Sequence, residues 1–376
     1  MKRIIATDKS GYATERNISG LSFSRYGVVR APNVYRIPNY IYFRLTGKAH
    51  PVWANLHRDL GQRGYDLLHF FNGVSLSKRP WISTYETYLP RWGAYGHQRL
   101  SSGIKAMASP HCKQLIALSQ CAYDIQDHLL ESYPEYRKTI MDKTMVLHPP
   151  QPLIVEDYDA KPLSSEFLDL ALVGSLFFLK GGLEVLRVVD RFIRKGAPIR
   201  LHIVSSMQTG DHATRAGAAE LDAARKLIDA HPGRIIQVSS LKNHEVLALF
   251  RKCHIGLLPT WADTYGYTIL EAQAAGCATL GTNVRAVPEI NPPEAGWTVE
   301  VPVNDLGYAR IGNEEEKAVF RDQMEAGLSA ALEEILANPE EIRKRGMAGI
   351  ERIRAEHSPE SRTSILEGLY NRILGD

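Results

Sequence analysis

The sequence predicts an α/β protein made of two doubly wound domains in tandem, followed by a C-terminal helical segment. Short apolar runs alternate with amphipathic stretches along most of the 376 residues, which is the pattern of βα units around parallel sheets. A proline-rich stretch at 147–165 breaks both the strand and the helix periodicity between two such series. We therefore expect an N-terminal domain at 1–155, a C-terminal domain at 156–355 and a terminal segment at 356–376.

The elements follow from this alternation in chain order. In the first domain the apolar runs predict strands at 3–7, 66–70, 80–85 and 114–117. In the second domain they predict strands at 168–173, 199–204, 235–238, 255–258 and 278–281, with helices at 182–195, 216–230, 244–252 and 268–275. A last helix is expected at 360–374, where the apolar positions fall on one face. Ligands of such sheets bind beyond the carboxyl ends of the strands, and two domains add a cleft.

The formal net charge of +3 conceals an uneven distribution. Residues 1–150 hold 20 basic and 10 acidic side chains, whereas the rest of the chain holds 25 and 32. Twelve of the 17 tyrosines also lie in the first part. A basic, aromatic domain suits an anionic or carbohydrate partner, although a solvated surface with tyrosines in the core fits the composition equally well. No nucleic-acid-binding module is recognisable, so we expect no nucleic acid partner.

Cysteine and histidine patterns exclude several classes of protein. The four cysteines form no CxxC pair and are too sparse for a disulfide scaffold, so we expect them to be reduced. The thirteen histidines show no metal-binding spacing, and we expect no metal cofactor. Neither a secretory leader nor an apolar stretch of the ~20 residues that span a bilayer is visible. The expected location is the cytoplasm, with a peripheral position at the inner face of the membrane as an option.

A first motif follows the strand at 168–173. The strand ends at Gly174, Ser175 follows, and Lys180-Gly181-Gly182 opens a helix. Backbone amides at a helix start, glycines that permit close approach and one flexible cation together suit a phosphate. Taken alone, a strand–glycine–helix turn more often connects two elements without binding a phosphate.

A second motif follows the strand at 255–258. Its loop carries Asp263, Gly266 precedes a helix, and Glu271 lies one turn inside that helix. One carboxylate can hold sugar hydroxyls while the other reaches further along the same ligand. The helix-start amides from Tyr265, Gly266, Tyr267 and Thr268 favour an anion between them.

Together the two motifs resemble the carboxy-terminal half of the GT-B glycosyltransferases of family 4, over roughly residues 168–300. The matching residues are Lys180-Gly181, Pro259-Thr260, Asp263-Thr264-Tyr265-Gly266, Leu270-Glu271-Ala272, Ala274-Ala275-Gly276 and Pro288-Glu289-Ile290. The resemblance implies a GT-B fold whose Rossmann-like domains face a cleft and whose last helix crosses back to the first domain. It also implies a nucleotide-sugar donor in the second domain, a glycan or lipid-linked acceptor in the first, retention of anomeric configuration, and no metal.

The resemblance also implies roles for single residues. Lys180, beside Gly174 and Ser175, would neutralise the donor diphosphate together with the amides at 265–268. Asp263 would contact the donor sugar, Glu271 the ribose, and Leu241 and Lys242 the base. In the first domain Gly11 would border the donor, and Glu86 and Ser119 would border the acceptor. We thus expect Lys180, Asp263 and Glu86 to be the catalytic residues.

Three positions depart from the family pattern. Asp263 stands where glutamate is usual, Ser175 where arginine is frequent, and Glu86 where many members have histidine. Glu86 is therefore either a base or acceptor ligand, or a helix cap. A stretch with both cations and aromatic rings could also touch a membrane, although a loop with ordinary surface arginines fits the pattern equally well. Its residues are Arg79, Arg91, Arg99 and Lys105, interleaved with Trp81, Tyr85, Tyr88, Trp92 and Tyr95.

The sequence is consistent with three functions. The first is a retaining transferase of hexoses from nucleotide sugars, acting in the synthesis of cell-surface polysaccharide or glycolipid. The second is a nucleotide-sugar epimerase on the same fold. The third is a non-catalytic protein that binds nucleotide sugars or polysaccharide, which the departures at Ser175, Glu86 and Asp263 would explain.

Overall fold

The computed structural model describes residues 2–59, 61, 64–92, 97–163 and 166–375, without the side chains of 97–99. The chain divides into two compact units. Unit 1 comprises Met1–Pro150 and His357–Asp376, and unit 2 comprises Gln151–Glu356. The expected domain boundaries were 155 and 355.

Unit 1 is built on a six-stranded parallel sheet of order β2-β1-β4-β6-β7-β8, with β3 and β5 as a separate pair. Its strands are β1 (Arg3–Thr7), β2 (Tyr26–Arg30), β3 (Leu56–His57), β4 (Leu67–Phe71), β5 (Val74–Ser75), β6 (Trp81–Tyr85), β7 (Cys112–Ala117) and β8 (Thr144–Val146). Its first helices are α1 (Tyr12–Thr14), α2 (Arg36–Thr46), α3 (His97–Ala108), α4 (Gln120–Leu130) and α5 (Pro134–Met141). Every residue of the central strands β4 and β6 is buried, as expected for strands covered on both faces.

Unit 2 repeats this design with a parallel sheet of order β11-β10-β9-β12-β13-β14. Its strands are β9 (Leu168–Val173), β10 (Ile199–Val204), β11 (Ile235–Val238), β12 (Ile255–Leu258), β13 (Ala278–Thr282) and β14 (Gly296–Val299). Its helices are α6 (Gly182–Arg194), α7 (Ala218–Asp229), α8 (Asn243–Lys252), α9 (Tyr267–Ala274), α10 (Val287–Ile290), α11 (Glu314–Ala337) and α12 (Pro339–Glu356). The apolar side of α6 packs on the sheet, where Val185 and Val189 meet Leu170 and Leu257.

The last helix, α13 (Pro359–Leu374), belongs to unit 1. Its Tyr370 is fully buried, and the ring lies 5.2 Å from that of Tyr26 between centroids. The Tyr370 hydroxyl lies 2.7 Å from Nδ1 of His69, a buried residue of β4. The α/β class with two doubly wound units and a returning helix, predicted from the sequence, is thereby confirmed.

The expected basic and aromatic docking face at 79–105 is wrong. Trp81, Tyr85 and Trp92 are at most 2% exposed, because β6 is a central strand and the rings form part of the core. Two of its cations are used internally, since Arg79 pairs with Asp59 and Arg91 with Glu86. Tyr95 and the side chain of Arg99 lie outside the described residues. In the part of the chain that the structure describes, no helix is long and apolar enough to cross a membrane.

Candidate functional site

The two sequence motifs of unit 2 meet at one point of its sheet. The chain runs from β9 outward to β11 on one side, and then from β12 to β14 on the other, so the order reverses between β9 and β12. Ligands of doubly wound sheets bind at such a reversal. Two hydrogen bonds join the loops that follow these strands, because Trp261 N and Thr260 Oγ1 both donate to the Leu179 carbonyl, at 2.9 and 3.0 Å.

Gly181 makes this close approach possible. Its φ of 73° lies in the left-handed region, and a Cβ there would stand 2.0 Å from the Pro259 carbonyl oxygen. Gly174 has a related role, because its missing side chain leaves room for the stem of Lys180. The glycines of the first motif thus set the distance between the two loops.

Lys180 and Asp263 form the charged centre of the site. The Lys180 ammonium donates to Asp263 Oδ2 at 2.5 Å, and both side chains are mostly buried, at 18% and 14% exposure. Asp263 Oδ1 accepts from the amides of Thr264 and Tyr265 at 2.7 and 3.3 Å. The backbone amides of its own loop orient the Asp263 carboxylate, and that carboxylate holds the Lys180 ammonium in one place.

A cavity of about 320 Å³ opens beside this ion pair. Lys180, Asp263 and Thr264 line it, and so do Arg285 and Tyr308. A cavity of this size with few convergent polar groups suits part of a small polar ligand. Lys180 and Asp263, 83 positions apart in the chain, are thus brought together as expected.

Among the described residues, the other predicted donor residues do not line this cavity, and those at 265–271 lie after β12 and in α9. Gly266 caps α9 and is buried with Tyr265, whereas Tyr267 and Thr268 in the first turn are half-buried. Glu271 is only 8% exposed on the same helix. These placements put the start of α9 beside the Asp263 loop, where its dipole favours an anion.

The outer donor residues have local structural contacts. Gly174 N donates to the Val204 carbonyl at 3.0 Å, and Ser175 beside it is exposed. Leu241 is half-buried after β11, and Lys242 is exposed as the cap of α8. Both lie beyond β11, two strands from β9, so whether they contact a base stays a prediction.

Unit 1 gathers a second charged cluster after β1, β4 and β6. Glu86 Oε1 accepts from Arg91 at 2.8 Å and from the Asn72 amide at 3.1 Å. Lys9 donates to Asn55 and to the Phe71 carbonyl, at 2.9 and 3.2 Å. Burial lowers the pKa of the Lys9 ammonium, while the Asp8 carboxylate opposes that shift. Glu86 is not a helix cap, since it follows β6 in a bend.

Two other unit 1 predictions have different outcomes. Gly11 precedes α1 with φ 143° and is exposed, so its role toward a donor stays a prediction. Ser119 is fully buried, and its hydroxyl accepts from Ala122 N at 3.0 Å to cap α4. Because capping and burial occupy this hydroxyl, the structure offers no room for the expected acceptor contact.

Sequence reasoning missed several residues of the unit 2 cavity, Arg285 and Tyr308 among them. Arg285 and Tyr308 come from the loop after β13 and from a turn after β14, far from either motif. The one sequence signal near Arg285 was the Pro288-Glu289-Ile290 match, which lies three residues further on. Only the fold brings them to Lys180.

Comparison with known proteins agrees with this geometry. Residues 168–310 match the family Glycosyl transferases group 1. A curated relative, the alpha-maltose-1-phosphate synthase of Mycolicibacterium smegmatis, is 24% identical over 330 residues, covering 82% of this chain and 74% of the relative. The gpi3 subunit of the Schizosaccharomyces pombe phosphatidylinositol N-acetylglucosaminyltransferase is 24% identical over 145 residues. That match spans 38% of this chain and only 30% of the subunit.

A solved structure extends the similarity to the whole chain. The UDP-forming α,α-trehalose-phosphate synthase from Burkholderia xenovorans superposes with a TM-score of 0.61 and 13% identity, covering 99% of both chains. At this identity the likeness concerns the fold, which is GT-B as the sequence motifs implied.

Proposed function

We propose that the chain moves a hexose from a nucleoside diphosphate sugar to a glycan or lipid-linked acceptor, because residues 168–310 match the group 1 glycosyl transferases and the fold is GT-B. Transfer proceeds with retention of anomeric configuration and without a metal ion. One observation carries the proposal, namely the Lys180–Asp263 pair beside a cavity at the strand reversal of unit 2. The cell uses such a transfer in the synthesis of surface polysaccharide or glycolipid.

The chemistry assigned to this site is charge stabilisation. The bond between the anomeric carbon and the diphosphate oxygen breaks, and its electron pair leaves with the diphosphate. The acceptor hydroxyl oxygen bonds to the same face of that carbon, and its proton passes to the departing phosphate oxygen. Lys180, already fixed by Asp263, meets the developing negative charge, and such preorganised charges lower a barrier because they need no rearrangement. Asp263 also orients the donor sugar.

The similarities support a nucleoside diphosphate sugar as donor. The trehalose-phosphate synthase is named UDP-forming, and the S. pombe relative is named as acting on phosphatidylinositol. We infer a UDP-sugar as the first donor to test, with the acceptor bound by unit 1 around Glu86.

The experiment is a donor panel with purified protein and a matched variant. UDP-, ADP- and GDP-hexoses are incubated with and without acceptor sugars and lipids, with EDTA present, and product configuration is read by NMR. Lys180→Met is expected to reduce kcat/KM by about 10²–10³-fold. The control, Lys195→Met, removes an exposed lysine at the end of α6 and should leave activity unchanged.

The alternatives predict different outcomes. Formation of an epimerised nucleotide sugar without acceptor would identify the epimerase function. Donor binding without hydrolysis or transfer would identify a binding protein. Loss of activity in EDTA that added Mg²⁺ restores would contradict the metal-independent mechanism.

A lipid-linked acceptor requires a membrane-facing surface, and we propose α2 of unit 1 as that surface. No residue of α2 is buried, and its large apolar side chains point to solvent. Exposed fractions are 72% for Ile37, 60% for Tyr40, 52% for Ile41, 49% for Phe43 and 81% for Leu45. Exposed apolar patches of this kind mark interaction sites.

The charge of the chain segment that contains α2 points to an anionic lipid surface as the occupant. Residues 16–58 contain seven basic side chains and no acidic one. Six of the seven are exposed, namely Arg25, Arg30, Arg36, Arg44, Lys48 and Arg58. An apolar face flanked by cations is the combination that binds anionic headgroups and the acyl boundary together.

Vesicle sedimentation tests this surface. Wild-type protein should bind vesicles containing phosphatidylglycerol and not pure phosphatidylcholine. The double variant Ile37→Ser with Leu45→Ser should bind about tenfold more weakly, because it loses two inserted apolar groups. The control pair Val319→Ser and Met347→Ser alters exposed apolar residues of unit 2 and should bind like wild type. Equal binding by both double variants would refute α2 as the surface.

The cysteines support a cytoplasmic enzyme at the inner face of the membrane. Cys112, Cys253 and Cys277 are buried thiols outside any disulfide. Buried thiols of this kind fit a reducing compartment. Cell fractionation should find the protein with inner-membrane vesicles, and salt washing should release it.

A further inference from the structure

Arg285 adopts a backbone conformation that its residue type disfavours. Its φ of 56° lies in the left-handed region, where a side chain with a Cβ is strained. It lies in the loop after β13, which ends at Thr282, at the edge where ligands of unit 2 are expected, and it lines the cavity of Lys180. Such strain persists only where the surroundings enforce it, and it concentrates at ligand-binding sites.

A turn at 304–308 enforces this conformation. Arg285 N donates to the Gly307 carbonyl at 2.8 Å. Gly307 N donates to the Asn304 carbonyl at 2.8 Å, and Asn304 N donates to the Tyr308 carbonyl at 2.9 Å. Gly307 has φ 74°, and a Cβ on it would come within 3.0 Å of the Arg285 backbone. The turn therefore packs directly on Arg285 and depends on glycine to do so.

Tyr308 supplies a platform for the side chain. The guanidinium carbon of Arg285 lies 4.4 Å from the centroid of the Tyr308 ring, within the range of a cation–π contact. Arg285 is only 9% exposed although it is charged. Arginine suits this position because its planar group can stack on a ring and still donate in its own plane to a phosphate.

A diphosphate bound in this cavity needs more positive charge than Lys180 alone supplies, and Arg285 can supply it. Asp263 already offsets the charge of Lys180, and Ser175 adds none. A nucleoside diphosphate carries more than one negative charge, so one paired ammonium is insufficient. We propose, on the basis of the function proposed above, that Arg285 is a second donor-binding cation and that it contacts the diphosphate together with Lys180.

Isothermal titration with UDP tests this assignment, with ADP and GDP titrated in parallel. Arg285→Asn removes the charge while keeping a residue that tolerates the left-handed region. The nucleoside diphosphate that wild type binds should bind this variant about 10- to 100-fold more weakly. Arg285→Lys should recover part of the loss, and Tyr308→Leu, which leaves the cation but removes the ring, should weaken binding by about threefold. Arg310→Asn, at an exposed position of the same segment, should behave as wild type.

The outcomes separate this inference from the function on which it rests. Wild-type protein that binds none of the three diphosphates would overturn both. Wild-type binding with unchanged affinity in Arg285→Asn would overturn the role of Arg285 alone. If the variant lost affinity for UDP-glucuronate but not for UDP, Arg285 would recognise a sugar carboxylate instead, and the diphosphate assignment would fail.

Discussion

Both units are doubly wound parallel sheets, but they differ in strand order and use this design differently. Both have six parallel strands whose order reverses beside the first strand of the unit, and in both a non-glycine residue with positive φ follows a strand, Asn72 in unit 1 and Arg285 in unit 2. In unit 2 glycines bring two loops together and leave a cavity beside one ion pair. In unit 1 the charges after the strands bond to one another, and an apolar helix faces solvent instead.

In each unit, the connectivity of the parallel strands determines where a site lies but not the chemistry of that site. Parallel strands deliver their carboxyl ends to one edge in both units, since that follows from connectivity. Which groups stand at that edge depends on side-chain volume and charge at a few positions. Substitutions at such positions in either unit test this difference.

Gly181→Ala should produce the largest change, in unit 2. The new Cβ would clash with the Pro259 carbonyl at a backbone angle that already disfavours alanine, so we expect a loss of at least about 3 kcal/mol in the free energy of unfolding. Gly196→Ala is the matched control, because Gly196 also has positive φ but nothing within 4 Å of the added Cβ. It should lose about 1 kcal/mol. Equal losses in urea unfolding would show that the loop contact is not what requires glycine.

The second prediction concerns pH and the core of unit 1. His69 is fully buried, and burial, aided by the Arg362 charge, lowers its pKa from 6.5 to about 3. The folded protein therefore holds a neutral His69 while the unfolded chain takes up a proton below pH 6.5. Stability from this residue is complete above pH 6.5 and declines as pH falls toward 3.

The size of this effect follows from the same shift. Between pH 7 and pH 5 wild type should lose about 2 kcal/mol more than His69→Gln, in which the titrating group is absent. Urea unfolding of both proteins at the two pH values measures the difference, because all other groups titrate alike in both. A difference near zero would mean that His69 is accessible to protons in the folded state. The contact between His69 of β4 and Tyr370 of α13 would then be open to water.

The smallest effect is expected at Glu86. Glu86→Gln keeps the side-chain size but removes the partner of Arg91, and if unit 1 binds the acceptor, its KM should rise about tenfold. Donor hydrolysis without acceptor should not change, since the donor is assigned to unit 2. Glu131→Gln, at an exposed position, is the control. A fall in kcat at unchanged acceptor KM would instead favour Glu86 as a base.

The sequence was informative where structure depends on neighbouring residues. Alternating apolar and amphipathic stretches located the central strands and most helices of unit 2 within two residues, for example β9 at 168–173. The edge strands β2, β8 and β14 and the helix α2 were missed. β2 and β8 are partly exposed, β14 has only four residues, and no residue of α2 is buried, so none of them produces a strong periodic signal.

The residues of the candidate sites also divide into those that the sequence identified and those that it misjudged. The glycines and Lys180 could be recognised because their motif is contiguous, and the order of strands then brought Asp263 to Lys180. Ser119 was misjudged because a serine after a strand looks the same whether it caps a helix or faces a ligand. The aromatic stretch around Trp81 was misjudged because composition counts rings without telling which way they point.

The sequence by itself determined the fold class and the phosphate-type motif, because these depend on local periodicity and on residues close in the chain. Only the tertiary structure decided which residues are buried, which helix faces solvent, and that Arg285 and Tyr308 share the cavity of Lys180. Burial and long-range contacts depend on how distant elements pack, and a linear pattern does not record that packing.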